Sequence, residues 1–254
     1  MRGDHQRHCW HVEGSRTLAG GFSTLQMNLT PSHRLLTRPK SLTDLAHDSI
    51  RQLIVGGELP MGAQLSEATL AAQLGISKTP VREALLRLRV DGLIDIQPQR
   101  GTFVFSLTPR QVEEICVFRE AIEVAAIKLA MEGRRPEMVK ALQANVREMA
   151  LARKARHFKA IRQLDEGFHQ AIVDHCNNAY VQQAHQTIAS KISALRARLP
   201  EESEQVDHCL ENHATIVDLI RDGRVAPTQR ALALHIRDTL ESYRAATNLL
   251  TVDA

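Results

Sequence analysis

Apolar side chains recur at helical spacing in three short segments near the N-terminal end of the chain. The segments cover residues 41–56, 66–74 and 77–91, and each begins at a Ser that can cap a helix. The next residues, 93–105, place apolar side chains on either side of a Pro-Gln-Arg-Gly turn, which predicts a two-stranded hairpin. Three helices followed by a hairpin predict a winged helix-turn-helix over residues 41–106.

Helical periodicity resumes at Thr108 and continues almost to the C-terminus. Thr108 and Gln111 are spaced as in a capping box, and Pro109 suits the first helical position. The expected fold class is therefore mainly α, with an N-terminal winged helix-turn-helix and a C-terminal all-α helical bundle over residues 107–250. About six helices are expected in the bundle, with breaks at residues 133–136, 157, 177–178, 199–200 and 223–227.

Residues 1–40 mix Gly, Ser, Thr, His and Arg without an apolar period, and we expect them to form a disordered extension. They carry six Lys or Arg residues against two Asp or Glu, whereas residues 41–106 carry six against seven. Residues 107–254 are balanced at twenty against twenty. The net charge of +3 therefore belongs to the extension, and only the placement of individual basic side chains can argue for DNA binding.

Two classes of protein are disfavoured by the composition. No apolar run approaches the roughly 20 residues that span a bilayer, and the N-terminus lacks the pattern of a signal peptide. The four cysteines form no Cys-x-x-Cys pair, which disfavours a disulfide framework or a zinc ribbon. We expect a cytoplasmic protein with free thiols and no membrane contact.

The third segment of the winged helix carries its cations on one face. Lys78, Arg82 and Arg89 lie within about 40° of one another around an ideal helix, with Ser77 and Thr79 at its N-terminal end. A recognition helix presents such residues to base edges and phosphates in the major groove. We expect Arg82 to read guanine, and Lys78 and Thr79 to contact bases or phosphates. The alternative is an ordinary solvated face.

The hairpin tip is a second basic point. Arg100 is expected to enter the adjacent minor groove or to contact phosphate, and Gly101 to allow the tight turn. Glu83 is expected to orient Arg82 through a salt bridge. The predicted DNA-binding set is Ser77, Lys78, Thr79, Arg82, Arg89, Arg100 and Gly101.

Several donors in the helical domain have spacings that suit a metal. Asp165 and His169 are four residues apart and so project from one face of a helix, and His213 and His235 lie on two later helices. One Asp and three His can hold a borderline divalent ion with one or two positions open. A helix-surface pair and hydrogen-bonded core histidines are the alternative. The neighbouring donors Asp174, His175, His208 and Cys209 are left outside the set.

The N-terminal domain resembles that of the GntR superfamily of bacterial repressors. The resemblance covers nearly all of residues 42–105, and it rests on Leu65-Ser66-Glu67, Leu74 to Leu85, Asp91-Gly92-Leu93-Ile94 and Arg100-Gly101. Two positions depart from it, since Lys78 stands where the family often has Arg, and Ala68 where many members have a DNA-contacting Arg. The resemblance implies a winged helix that binds double-stranded operator DNA.

The helical domain resembles the FCD domain, which is common in FadR-like members of that superfamily. The resemblance rests on Asp165-x-x-Phe168-His169, on Asn178, and on the later histidines. It implies an effector-binding domain whose metal ligands are Asp165, His169, His213 and His235, with zinc expected and nickel or manganese as alternatives. It also implies that Arg119 and Asn178 bind the effector. A plain ion pair of Arg119 with Glu123 is the alternative.

These features together predict a ligand-responsive transcription regulator, with repression as its expected action. It is expected to bind operator DNA as a homodimer and to sense a small organic acid through its metal-containing domain. One alternative is a metal-dependent hydrolase, although no motif positions a carboxylate outside the ligand set as a general base. Another is a regulator whose metal is purely structural.

Overall fold

A computed structural model of the chain describes residues 39–199 and 204–251, with side chains given only up to residue 244 in the second range. These residues form nine helices and one small antiparallel sheet, so the expected mainly α fold class is confirmed. The predicted disordered extension lies outside the described residues except at its last two positions.

The winged helix begins where its capping residues indicate. Ser41 and Asp44 form a reciprocal capping box, and Ser66 caps the second helix. Gly75 ends that helix in the left-handed region, with a φ of 66° that favours glycine. The elements are α1 (Leu42–Val55), β1 (Gln64–Leu65), α2 (Glu67–Leu74), α3 (Lys78–Val90), β2 (Ile94–Gln97) and β3 (Gly101–Val104).

The wing is a three-stranded sheet in the order β1-β3-β2, with one strand more than the predicted hairpin. Strand β1 has only two residues, which is too short to produce an alternating pattern in the sequence. Gly101 has a φ of 121°, and a Cβ there would lie 2.9 Å from Nε2 of Gln64. The tight turn therefore requires glycine at position 101, as expected.

The described residues of the C-terminal domain form six helices, the number expected from the breaks. Thr108 and Gln111 form the predicted capping box. Within the described residues, no helix has both the length and the apolar character needed to cross a membrane. The helices are α4 (Pro109–Gly133), α5 (Arg135–Lys154), α6 (Phe158–Asp174), α7 (Ala179–Arg196), α8 (Glu204–Arg221) and α9 (Val225–Thr251).

Helix α7 joins the two domains. Ala194 is fully buried in the apolar core of the winged helix. Four residues earlier, the hydroxyl of Ser190 accepts hydrogen bonds of 3.1 and 2.9 Å from Nε and Nη2 of Arg51 on α1. One helix of the C-terminal bundle is therefore also a structural part of the N-terminal domain.

Candidate metal centre and nucleic-acid interface

The exposed face of α3 carries the predicted cations. Lys78, Arg82 and Arg89 are all exposed, and the opposite face packs into the core through Val81, Ala84, Leu85 and Leu88. Ser77 and Thr79 are exposed at the N-terminal end. The hydroxyl of Ser77 makes no capping hydrogen bond, which leaves first-turn N–H groups available to a phosphate.

Arg82 is held by α2. Its Nε and Nη2 donate to the carboxylate of Glu67 at 2.8–3.1 Å, while 64% of the arginine side chain stays exposed. The expected orienting role of Glu83 is wrong, because Oε2 of Glu83 faces α1 and accepts a 2.7 Å hydrogen bond from the hydroxyl of Thr43. Glu67 is therefore the residue that orients the guanidinium.

The tip of the wing presents Arg100. Its side chain is exposed, and its backbone carbonyl accepts a 3.2 Å hydrogen bond from Nε2 of Gln64. Gly101 beside it is half-buried. The α3 cations and Arg100 are therefore all exposed on the winged helix.

The four predicted metal ligands converge inside the helical domain. One donor atom from each of Asp165, His169, His213 and His235 lies within 4.8 Å of all the others. Nε2 of His235 is 3.2 Å from Nε2 of His213 and 3.3 Å from Nε2 of His169. Donor atoms around a single zinc ion are about 3–4 Å apart, so these distances suit one shared ion.

The three imidazoles are neutral and therefore able to coordinate. Burial lowers the pKa of His169 and of His213 to about 3, and it holds the pKa of His235 well below its usual range. Nδ1–H of His169 donates a 2.6 Å hydrogen bond to Oε2 of Glu123. The other ring nitrogen of His169 therefore directs its lone pair at the cluster, as in other metal-binding histidines.

Asp165 links the cluster to α7. Burial alone would raise the pKa of its carboxyl, but the Arg196 guanidinium lowers it well below its usual range. Oδ2 of Asp165 pairs with Arg196, whereas Oδ1 lies 3.5 Å from Nε2 of His213. One oxygen therefore faces the helix that contacts the winged helix, and the other faces the histidines. These residues fit a divalent cation in both charge and donor type.

Arg119 is a buried cation with unused hydrogen-bond donors. Its side chain is 2% exposed, and its Nε donates to Oε1 of Glu123 at 2.7 Å, so the ion pair considered in the sequence exists. Nη1 and Nη2 have no hydrogen-bond partner among the described residues. Buried guanidinium N–H groups without acceptors are costly, and a carboxylate ligand would satisfy them.

Asn178 is not part of this cluster. Its Oδ1 accepts hydrogen bonds from the backbone N–H groups of Tyr180 and Val181, at 3.0 and 3.2 Å, and so caps α7. Oδ1 of Asn178 therefore caps α7, and the expected contact of Asn178 with the effector stays a prediction. His208 is exposed next to Asp238, in agreement with its exclusion from the ligand set.

Three residues near the cluster were not predicted. Nε2 of His185 lies 3.6 Å from Oε1 of Glu123, Arg196 pairs with Asp165, and Sγ of Cys209 lies 3.3 Å from Oδ1 of Asp165. His185 and Arg196 lie on α7 without a recognisable motif. Cys209 did have a signal, since it precedes His213 by four residues.

Both domains match protein families. The gntR family of bacterial regulatory proteins matches residues 42–104, and the FCD domain matches residues 114–238. The two matches cover the winged helix and most of the helical domain that contains the ligand cluster.

Relatives and solved structures agree with these matches. The chain is 32% identical over 211 residues to an uncharacterized HTH-type transcriptional regulator in an unstable DNA locus of Streptomyces ambofaciens, covering 81% of this chain and 88% of that protein. It is 30% identical over 203 residues to a probable D-xylose utilization operon transcriptional repressor of Paenarthrobacter nicotinovorans, covering 79% and 88%. The structure of E. coli McbR/YncC has a TM-score of 0.71 at 25% identity, covering 81% of this chain and 98% of that one.

Proposed function

Since the chain belongs to the gntR family of bacterial regulatory proteins and carries an FCD domain, it is a DNA-binding transcription regulator, and we propose that it senses a small organic acid. The family consists of DNA-binding regulators rather than enzymes, so the hydrolase alternative is set aside. We further propose that it represses transcription in the cytoplasm and binds operator DNA as a homodimer. One winged helix makes few base contacts, and a second half-site supplies the missing specificity.

The unsatisfied N–H groups of Arg119 are the observation that supports acid sensing. Arg119 is connected to the ligand cluster through Glu123, which accepts hydrogen bonds from both Arg119 and His169. An effector carboxylate would accept from Nη1 and Nη2 of Arg119, whose planar geometry suits two-point recognition.

Asp165, His169, His213 and His235 would hold a divalent ion beside this carboxylate site, with zinc preferred over nickel or manganese. The ion supplies positive charge that offsets the loss of hydration of the entering acid. Asp165 also pairs with Arg196 on α7, which contacts α1 through Ser190. A shift of Asp165 on effector binding would therefore be passed to the winged helix.

Operator binding with and without metal tests this proposal. Zinc-loaded and chelator-stripped protein are titrated against DNA from upstream of its own gene in the presence of aliphatic and sugar acids. We expect at least one acid to change the affinity of the zinc-loaded protein and none to affect the stripped protein. Equal responses of the two samples would leave the metal a purely structural role.

The homodimer is tested by light scattering of the full-length protein. We expect a mass twice that of the 28.4 kDa chain, whereas a measured mass of 28.4 kDa would contradict the homodimer.

The recognition face is tested by Arg82→Ala. We expect operator affinity to fall by about 1–3 kcal/mol, or about 5- to 150-fold, with relaxed preference at one base per half-site. Lys78→Ala should weaken binding to all sequences more evenly. Mobility-shift titrations at fixed salt measure both effects. The control is Arg87→Ala, because Arg87 lies on the same helix but pairs with Asp44 of α1. Parental affinity in Arg82→Ala would show that the recognition face is misassigned.

A further inference from the structure

Helix α8 presents a second donor in the direction of the ligand cluster. Cys209 and His213 are four residues apart on α8, as Asp165 and His169 are on α6. Side chains at this spacing lie on the same face of a helix, one turn apart, so that one helix can supply two ligands to one ion. Cys209 and His213 on α8 therefore repeat the spacing of Asp165 and His169 on α6.

The sulfur of Cys209 lies at ligand distances from two members of the cluster. Sγ is 3.3 Å from Oδ1 of Asp165 and 3.8 Å from Nε2 of His213. Zinc–sulfur bonds are about 2.3 Å and zinc–nitrogen bonds about 2.0–2.1 Å, so neighbouring ligands of one ion are about 3–4 Å apart. Oδ1 is also the oxygen of Asp165 that faces the histidines rather than Arg196.

The other described cysteines have different surroundings. Cys116 is buried in an apolar cluster that includes Val112 and Ile188, and the thiol of Cys176 faces the backbone carbonyl of Asn178 at 3.7 Å. Cys209 is the described cysteine whose sulfur contacts the predicted metal donors. It is half-buried beside the partly exposed Asp165, whereas the three histidines are buried.

We propose that Cys209 is a fifth ligand of the metal and binds it as a thiolate. This inference rests on the metal site of the proposed function. As the sulfur–metal bond forms, the S–H bond breaks and its proton passes to solvent, with no change of oxidation state. Five protein ligands leave one position of a six-coordinate ion for the effector. A thiolate also shifts the preference of the site towards zinc and cobalt and away from manganese.

Cobalt(II) tests this assignment, because a cobalt–thiolate bond produces a charge-transfer band in the near ultraviolet that nitrogen and oxygen ligands do not. Cobalt(II) is titrated into chelator-stripped full-length protein. We expect the band to saturate at one ion per chain and to be lost in Cys209→Ser, while the weaker visible bands of the bound ion remain. Cys9→Ser, Cys116→Ser and Cys176→Ser are matched controls that should retain the near-ultraviolet band.

The outcomes separate this inference from the proposed function. Visible cobalt bands without a near-ultraviolet band in the parent, or a near-ultraviolet band that persists in Cys209→Ser, would overturn the role of Cys209 alone. Failure of the parent to bind cobalt or zinc would overturn the metal site itself. As a readout without a substitution, peptide-mapped iodoacetamide labelling of Cys209 should be slower in zinc-loaded than in stripped protein. Equal labelling rates would contradict coordination.

Discussion

The His213→Ala protein should purify with little bound metal and lose its response to the acid effector, yet still fold and bind operator DNA. His213 is fully buried, and its Nε2 lies within 3.5 Å of donor atoms of both His235 and Asp165. Loss of an orienting partner alone typically weakens metal binding 10- to 100-fold, so loss of a ligand should exceed about 100-fold. Elemental analysis measures the metal, and mobility shift with and without the acid measures the response.

His208→Ala is the matched control for this substitution. His208 lies on the same helix but is exposed and pairs with Asp238. The metal content and acid response of the His208→Ala protein should therefore equal those of the parent. His213 also stacks on Phe168 with ring centroids 3.7 Å apart, and His213→Gln preserves more of this packing. Unchanged metal in both His213→Ala and His235→Ala would rule out the assigned ligand set. So would a full acid response in protein shown to be metal-free.

A second large effect is expected on stability, from Arg119→Met. The carboxylate of Glu123 is fully buried and pairs with Arg119 at 2.7 Å. Burial would raise the pKa of this carboxyl, but Arg119 and then His169 hold it well below its usual range. Removing one partner of a buried ion pair costs about 3–5 kcal/mol, because the other charge remains uncompensated. Urea denaturation should show a fall of this size in the free energy of unfolding.

Two variants identify the cause of that loss. Arg119→Met combined with Glu123→Gln removes both charges and should recover much of the stability. Arg237→Met breaks the pair of Arg237 with Glu120, in which the arginine is exposed, and should cost less than about 1 kcal/mol. If Arg119→Met were as stable as the parent, the buried pair would not be the contact that holds Glu123.

The winged helix was predictable because its boundaries are set locally. Ser41 and Asp44 form a capping box within four residues, and Gly75 ends α2 through a backbone angle that favours glycine. The two residues of β1 were missed, because they become a strand only by pairing with β3. Glu83 was assigned to the wrong partner, because the sequence does not indicate that it faces α1.

The sequence was sufficient to predict the four candidate metal ligands, but not the residues that pack around them. The spacing of Asp165 and His169 places them on one helix face, and family resemblance favoured His213 and His235 as their partners over a role as core histidines. His185 and Arg196 enter through the packing of α7, and no local motif encodes that packing. Asn178 matched the expected pattern, but its side chain is engaged in capping α7.

The position of helix α7 affects the concentration of the acid effector at which such a regulator responds. Ala194 belongs to the core of the winged helix, and Arg196, two residues later, pairs with Asp165 of the ligand cluster. Under the proposed function, the factor by which the acid changes operator affinity must equal the factor by which the operator changes affinity for the acid. Regulator bound to a strong operator therefore responds at a different acid level from regulator free in solution. The threshold of each regulated gene is set partly by its own DNA sequence.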